Sequence, residues 1–383
     1  MLEHTKKAYL LLSDGTLFEG YSFGATGTTI GEVVFTTGMT GYGETLTDPS
    51  YYGQIVTQTF PLIGNYGVNQ MDHESDRIYL KGYIVREWCD QPSNFRCEGD
   101  INTFLQQQGV IGIYGIDTRS LTRKIREFGV MNGMVTTEPI TDKEAALKQI
   151  REFEITDAVK SVSGKQIVDF VDNISDKMTA VLPSTKPNTN NNFHIVLFDF
   201  GYKYNIARCL ARRNCKVTVV PYNTTAEQVK ELNPDGIMLS NGPGNPAENV
   251  EVIETIRELV KMQIPIFGIC LGHQLMALAN GARTEKLKYG HRGSNQPVID
   301  LNIDQTLVTS QNHGYAVVGD SIPEGVGRVS HVNANDGTCE GVEYFNAPAF
   351  TVQFHPEARG GPLDTDYLFD RFMKLIEDHK RNQ

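Results

Sequence analysis

Pro265-Ile266-Phe267-Gly268-Ile269-Cys270-Leu271-Gly272-His273-Gln274-Leu275-Met276-Ala277-Leu278-Ala279-Asn280-Gly281 reads as a short buried strand, a sharp turn and a helix. Pro265 to Ile269 is the strand and Leu271 to Asn280 the helix, with Gly281 placed as its left-handed stop. Cys270 stands at the turn, with Gly268 two residues before it and Gly272 two after. That G-x-C-x-G spacing is the cysteine counterpart of the G-x-S-x-G nucleophile elbow, a turn so tight that flanking side chains would collide. The sulfur is then exposed at a helix N-terminus, where the macrodipole and free N–H groups favour the thiolate. A lone cysteine ahead of a core helix is more often structural. The two glycines and the strand-turn-helix frame favour a nucleophile here.

Around this stretch the chain alternates short apolar runs with helical patterns. His194 to Phe200, Lys216 to Tyr222 and Gly236 to Ser240 read as strands, and Tyr204 to Arg213, Thr225 to Leu232 and Glu248 to Met262 as helices. Such alternation predicts a parallel sheet with helices on both faces, whose sites lie beyond the carboxyl ends of the strands. Residues 283–354 return to strand-like pieces, and a helix from about Asp364 to Lys380 closes the chain, with Tyr367, Phe369, Phe372 and Ile376 expected inside.

Upstream, Pro183 to Asn192 is polar, broken by two prolines and without apolar residues to bury, so it reads as a linker. Before it, Ala8 to Leu12 and Thr16 to Gly20 flank a Ser13-Asp14-Gly15 hairpin signal. Glu32 to Phe35, Gln54 to Phe60 and Ile78 to Trp88 are further strand candidates. Helices are expected over Asn102 to Gln108, Thr118 to Phe128 ending at Gly129, and Lys143 to Phe153. On the second of these, Arg119, Arg123 and Arg126 share a face, most simply a solvated one; any partner there is an acidic protein surface sooner than nucleic acid. The fold class is α/β: a strand-rich mixed N-terminal domain (1–182), a linker (183–192), and a C-terminal α/β domain (193–383) with a mainly parallel sheet and the elbow.

The totals agree with two globular domains: 383 residues, 40% hydrophobic, 21% charged, formal charge −11. That charge argues against a general nucleic-acid binder. No apolar run is long enough to span a membrane, and the first residues lack a signal-peptide core, so a cytoplasmic protein is expected. The six cysteines form no C-x-x-C pair, so a zinc ribbon or thioredoxin-type motif is unsupported, and no metal ligands are singled out.

A cysteine nucleophile needs a base, and the base an orienting group. Three of the nine histidines compete. His273 lies in the elbow helix and is expected to point into packing. His313 has no carboxylate close by in sequence. His355 follows a strand-like run, with Glu357 two residues on. In an extended backbone the two project to the same side, and Pro356 disfavours helix at His355. Ser240-Asn241-Gly242-Pro243-Gly244-Asn245-Pro246 is a third element, a strand-to-helix turn whose glycines expose N–H groups suited to an oxyanion or a carboxylate. No Gly-Lys-Ser/Thr follows, so it is not a Walker loop.

Phe267 to Gln274, Asn241-Gly242-Pro243-Gly244 and His355-Pro356-Glu357 together resemble the class I, triad-type glutamine amidotransferases. Leu46-Thr47-Asp48-Pro49-Ser50-Tyr51, Gly115-Ile116-Asp117-Thr118-Arg119-Ser120-Leu121-Thr122 and Gly290-His291-Arg292-Gly293-Ser294-Asn295-Gln296-Pro297 narrow the likeness to the small chain of carbamoyl-phosphate synthase. The similarity runs from about residue 8 to about 375.

The resemblance implies hydrolysis of L-glutamine, with ammonia passed through a tunnel to a separate large chain in a heterodimer or higher assembly. That partner uses bicarbonate, Mg2+ and two ATP to make carbamoyl phosphate for arginine or pyrimidine synthesis, and this chain itself needs no cofactor. It further implies Cys270 as nucleophile, His355 as base and Glu357 as its orienting carboxylate. Gly242 and Leu271 would supply oxyanion N–H groups. Ser50, Gly244, Gln274, Asn312, Gly314 and Tyr315 match the remaining glutamine contacts, Ser50 coming from the first domain. The departure is at Lys160-Ser161-Val162-Ser163-Gly164-Lys165, where the family usually continues into a proline-aromatic-tryptophan pattern; here Trp88 is the only tryptophan. A module feeding another synthase and a catalytically silent scaffold are the rival readings.

Overall fold

The computed structural model describes residues 6–171 and 192–382, so residues 183–191 of the expected linker lie outside the described residues. By compactness the chain divides into two units, Met1–Ala158 with Lys288–Ser294, and Val159–Leu287 with Asn295–Gln383.

The first unit is built on a closed barrel of seven strands: β1 (Lys7–Leu12), β2 (Leu17–Gly24), β3 (Thr28–Thr36), β4 (Gln54–Gln58), β5 (Gly82–Ile84), β6 (Ile111–Tyr114) and β7 (Met131–Thr136). Its circuit runs β1-β2-β6-β5-β4-β3-β7. The hairpin at Ser13-Asp14-Gly15 forms as expected, with Leu10 opposite Phe18 and Leu11 opposite Leu17. Neighbouring residues along a strand face opposite ways, so Val33, Ile55 and Ile84 join one core cluster while Val34, Val56 and Tyr83 join another. Apolar runs without polar alternation are therefore buried on both sides.

Helix α1 (Thr118–Phe128) is as expected, capped by the Asp117 carboxylate accepting from Ser120 N at 2.9 Å and ended at Gly129 (φ 93°). Leu121 and Ile125, four apart on one face, are fully buried. Ile78 to Trp88 is not one strand. The chain leaves the barrel after Ile84, and Glu87–Trp88 pairs in parallel with Leu62–Ile63 in a separate two-stranded sheet, because Glu87 N and Cys89 N bond the Pro61 and Ile63 carbonyls. Periodicity cannot reveal such a change of partner.

Apart from Lys288–Ser294 of one strand, a ten-stranded sheet lies in the second unit. Its strands are β8 (Val168–Asp169), β9 (His194–Asp199), β10 (Lys216–Pro221), β11 (Gly236–Leu239), β12 (Ile266–Ile269), β13 (Thr284–Asp300), β14 (Gln305–Val317), β15 (Gly327–Asn333), β16 (Cys339–Tyr344) and β17 (Ala349–Val352), in the order β8-β10-β9-β11-β12-β17-β16-β14-β13-β15. The pairings from β10 through β9, β11 and β12 to β17 are all parallel. Beyond β17 the ladder turns antiparallel.

Both faces of the parallel block are covered. Val196, Phe198, Ile237 and Leu239 pack with helices α2 (Val250–Lys261) and α3 (Leu271–Ala279); Ile195, Leu197, Met238 and Phe267 pack with α4 (Tyr367–Arg381). On α4, Phe369, Phe372 and Ile376 are buried as expected, but Tyr367 is 38% exposed. Tyr367 sits in the first turn, where its hydroxyl reaches out to Asp300 Oδ2 at 3.1 Å instead of into the core.

Phe267, on the strand that carries the elbow, stacks on Phe350 with centroids 4.5 Å apart and meets Phe369 and Phe372 at 5.7 and 5.8 Å. Truncating Phe372 to Ala should lower the unfolding free energy by about 3–5 kcal/mol, read as a shift of the urea midpoint. An unshifted midpoint would contradict this account of the core.

Candidate active site

Three loops leave the carboxyl ends of adjacent parallel strands: Ser240–Gly244 after β11, Cys270 after β12 and residues 353–357 after β17. Register fixes their heights, since Leu239 lies opposite Gly268 and Ile269 opposite Val352. Cys270 is thus one residue past the end of β12, and His355 three past the end of β17. Parallel neighbours lie about 4.8 Å apart, and Cys270 N donates to the Val352 carbonyl at 2.9 Å.

Cys270 has φ 53° and ψ −101°; contrary to the expectation of an exposed sulfur it is only 2% exposed, because it packs in the core cluster with Ile269, Val352 and Phe354. Positive φ is unusual for a side-chain-bearing residue and costs on the order of 1–3 kcal/mol. The turn is held by Gly272 N bonding the Ser240 carbonyl at 2.9 Å and Gln274 N bonding the Cys270 carbonyl at 3.1 Å. Each flanking glycine has a reason in this packing. A Cβ at Gly272 would lie 2.3 Å from the Leu239 carbonyl oxygen, and one at Gly268 would lie 2.8 Å from Thr351 Cγ2 and 3.0 Å from the Gly272 backbone. The sulfur rests 3.7 Å from the Asn312 carbonyl oxygen.

His355 Nδ1 lies 2.6 Å from Glu357 Oε1, and both side chains are buried. His355 Nε2 has no hydrogen-bond partner among the described residues. The pair forms, but not through extended backbone. Ala358 N donates to the His355 carbonyl at 3.2 Å and closes a four-residue turn with Pro356 at its second position, where its fixed φ fits.

Lys203 is a group that the sequence did not expose as part of the site. Its Nζ is 3.2 Å from the same Oε1 of Glu357, and its side chain is 9% exposed. Burial alone would raise the Glu357 pKa; His355 and Lys203 outweigh it and hold the carboxyl at about 2. Lys203 follows β9, and its own backbone N donates to Asn241 Oδ1 at 3.0 Å, while Asn241 Nδ2 donates to the Gly201 carbonyl at 3.0 Å. Asn205 Nδ2 donates to the Glu357 carbonyl. The only sequence signal for Lys203 is a lysine just beyond a buried strand at the sheet's carboxyl edge.

Gly242 meets the adjoining strand ends so closely that a Cβ there would lie 2.2 Å from the Phe200 carbonyl oxygen and 2.8 Å from Leu271 Cδ2. Gly244 adopts φ 89°. Leu271 opens α3, so its N–H has no carbonyl of its own helix to bond. Asn312, Gly314 and Tyr315 follow one another on β14. Gln274 is buried, its amide nitrogen donating to the Tyr315 carbonyl at 2.7 Å and to Gln353 Oε1 at 2.9 Å. Both of its donors are thereby engaged.

The competing histidines are occupied elsewhere. His273 is fully buried with Nδ1 2.8 Å from Thr351 Oγ1, and burial first, then His331, lowers its pKa to about 3. His313 has its ring nitrogens 2.8 Å from the Tyr315 carbonyl oxygen and 3.0 Å from Gln311 Oε1. Ser50 belongs to the first unit, on the turn Pro49–Tyr51, where its N donates to Asp48 Oδ1 at 2.9 Å.

Glu357 titrates well below an ordinary carboxylate, so its ionised form is the one that the fold stabilises. That contribution is complete above the unfolded pKa of about 4.5 and is lost as pH falls towards about 2. Glu357→Gln should therefore flatten the acid limb of the stability profile between those values. An equally steep limb in the variant, measured by chemical denaturation against pH, would exclude this origin.

Comparison with known proteins agrees in both units. Residues 196–375 match the glutamine amidotransferase class-I family and residues 10–135 the carbamoyl-phosphate synthase small chain, CPSase domain. The carbamoyl phosphate synthase small chain of Bacillus caldolyticus is 50% identical over 376 residues, 98% of each chain. That of Bacillus cereus is 49% identical over 375 residues, 98% of this chain and 97% of its own. Among solved structures, a glutamine amidotransferase from Thermotoga maritima aligns with a TM-score of 0.36 and 18% identity, over 50% of this chain and 84% of its own. The chain belongs to the carbamoyl phosphate synthase small-chain family.

Proposed function

From that membership we propose that the chain is the glutaminase subunit of a glutamine-hydrolysing carbamoyl-phosphate synthase, with Cys270, His355 and Glu357 as its catalytic triad. The observation that carries the assignment is the His355 Nδ1 to Glu357 contact of 2.6 Å, with Nε2 left without a partner among the described residues, one strand away from the cysteine turn. Lys203 and His355 keep Glu357 ionised, and the carboxylate holds Nδ1–H as donor. Nε2 is then the basic nitrogen.

In the proposed reaction His355 Nε2 accepts the Cys270 proton as the sulfur attacks the side-chain amide carbon of glutamine. The carbonyl π electrons move to oxygen, and the N–H groups of Gly242 and Leu271 stabilise that oxyanion. Collapse breaks the C–N bond, with the His355 imidazolium protonating the departing nitrogen, and ammonia leaves behind a glutamyl thioester. Water, deprotonated by His355, attacks the thioester; the C–S bond breaks and glutamate is released with the thiol restored. Ser50, Gly244, Gln274, Asn312, Gly314 and Tyr315 are the proposed glutamine contacts. Since both donors of the Gln274 amide are engaged within the protein, its role is to brace the Tyr315 carbonyl as much as to touch substrate.

Ammonia passes to a large chain, which converts bicarbonate and two ATP, with Mg2+, into carbamoyl phosphate for arginine or pyrimidine synthesis in the cytoplasm. Domains at 1–182 and 193–383 joined by residues 183–192 complete the proposal. No helix among the described residues is long and apolar enough to cross a membrane.

Cys270→Ser should abolish glutamine-dependent synthesis by the complex and leave ammonia-dependent synthesis intact. Equal loss of both would overturn the division of labour. The isolated chain should hydrolyse glutamine slowly and speed up when the large chain is added, as followed by glutamate release. Full activity without the partner would contradict that coupling.

A further inference from the structure

While Leu121 and Ile125 turn inward from α1, Arg119, Arg123 and Arg126 are exposed on its other side. At i, i+4 and i+7 and ~1.5 Å rise per residue, they form a row about 10 Å long. Arg86 joins them, and the four arginines line one cleft of about 940 Å3. Its Nη1 donates to the Ile116 carbonyl at 3.0 Å, which holds the guanidinium beside the start of the helix. Two carboxylates also line the cleft, Glu87 and Asp117. The second is committed to capping α1.

Among the described residues none of these four guanidinium groups forms an ion pair, although the chain carries a net charge of −11. Arginines elsewhere do pair: Arg213 with Asp366 and Asp370, and Arg328 and Arg371 with Glu343. Like charges at i, i+4 destabilise a helix. A row of unpaired arginines is therefore a cost to the free chain, recovered when opposite charge is laid along it. A single phosphate would need donors converging on one point. A linear row instead suits carboxylates spaced along a strand or helix.

We propose that this cleft docks an acidic segment of the large chain, with two or more Asp or Glu side chains set along the α1 arginines. The inference rests on the reading that the chain works with a large chain. Charged rim contacts act mainly on association rate and its salt dependence. The test uses the purified full-length chain and its large chain, with association followed by surface plasmon resonance at several salt concentrations. Arg119→Glu with Arg123→Glu, at exposed positions, should slow association about tenfold or more at low salt and flatten the salt dependence. Arg119→Lys with Arg123→Lys should keep most of the rate, and Lys148→Glu, on the exposed helix face of Lys143–Glu152, should behave as wild type. Glutamine hydrolysis by the isolated charge-reversed chain should be unchanged. Wild-type association in that variant, or equal slowing by Lys148→Glu, overturns the proposal. A wild-type chain that fails to bind the large chain at all overturns the partner reading itself, and the cleft assignment with it.

Discussion

The backbone at Cys270 is forced into a conformation that a side-chain-bearing residue avoids, φ 53° with ψ −101°, and the rest of the site depends on how the fold enforces it. Enforcement comes from close packing between strand ends. Gly272 lies against the Leu239 carbonyl, Gly268 against Thr351 and the Gly272 backbone, and Cys270 N is bonded to Val352. Beneath them, Phe267 anchors the strand among Phe350, Phe369 and Phe372. The strain is local, while the burial that offsets it is spread over both faces of the sheet.

The second constraint is electrostatic. Glu357 is a carboxylate with no exposed surface on its side chain, a situation tolerable only when opposite charge and hydrogen bonds surround it. Lys203 and His355 meet the same oxygen, and Asn205 holds the adjoining carbonyl. Because Asn241 ties Lys203 to the loop after β11, the Gly242 turn and the carboxylate share one scaffold. Shifting any of these loops would leave a buried charge uncompensated, at about 3–5 kcal/mol for a broken pair. That is how a site assembled from four strand ends stays in register.

Local chemistry was legible wherever the reason for a residue is local. The elbow was readable because a tight strand-to-helix turn admits few residue types. The span of α1 and its Gly129 stop followed from helix rules that need no partner. The strand break after Ile84 was not readable, because it depends on a second pairing with Leu62–Ile63. Tyr367 is a different case: with 3.6 residues per turn it stands on the far side of α4 from Phe369 and Ile376, so helical periodicity itself keeps it off the core face.

The sequence by itself determined the elbow, the alternation that builds a parallel sheet, and the three histidines between which a base had to be chosen. These rest on periodicity and backbone sterics, which act over a few residues. Only the tertiary structure decided that His355 meets Glu357 through a turn, that His273 and His313 are engaged elsewhere, and that Lys203 belongs to the carboxylate. Those outcomes depend on which strand ends lie side by side and which charges share a buried volume. Both are set by sheet order, and sheet order joins residues more than a hundred positions apart in the chain.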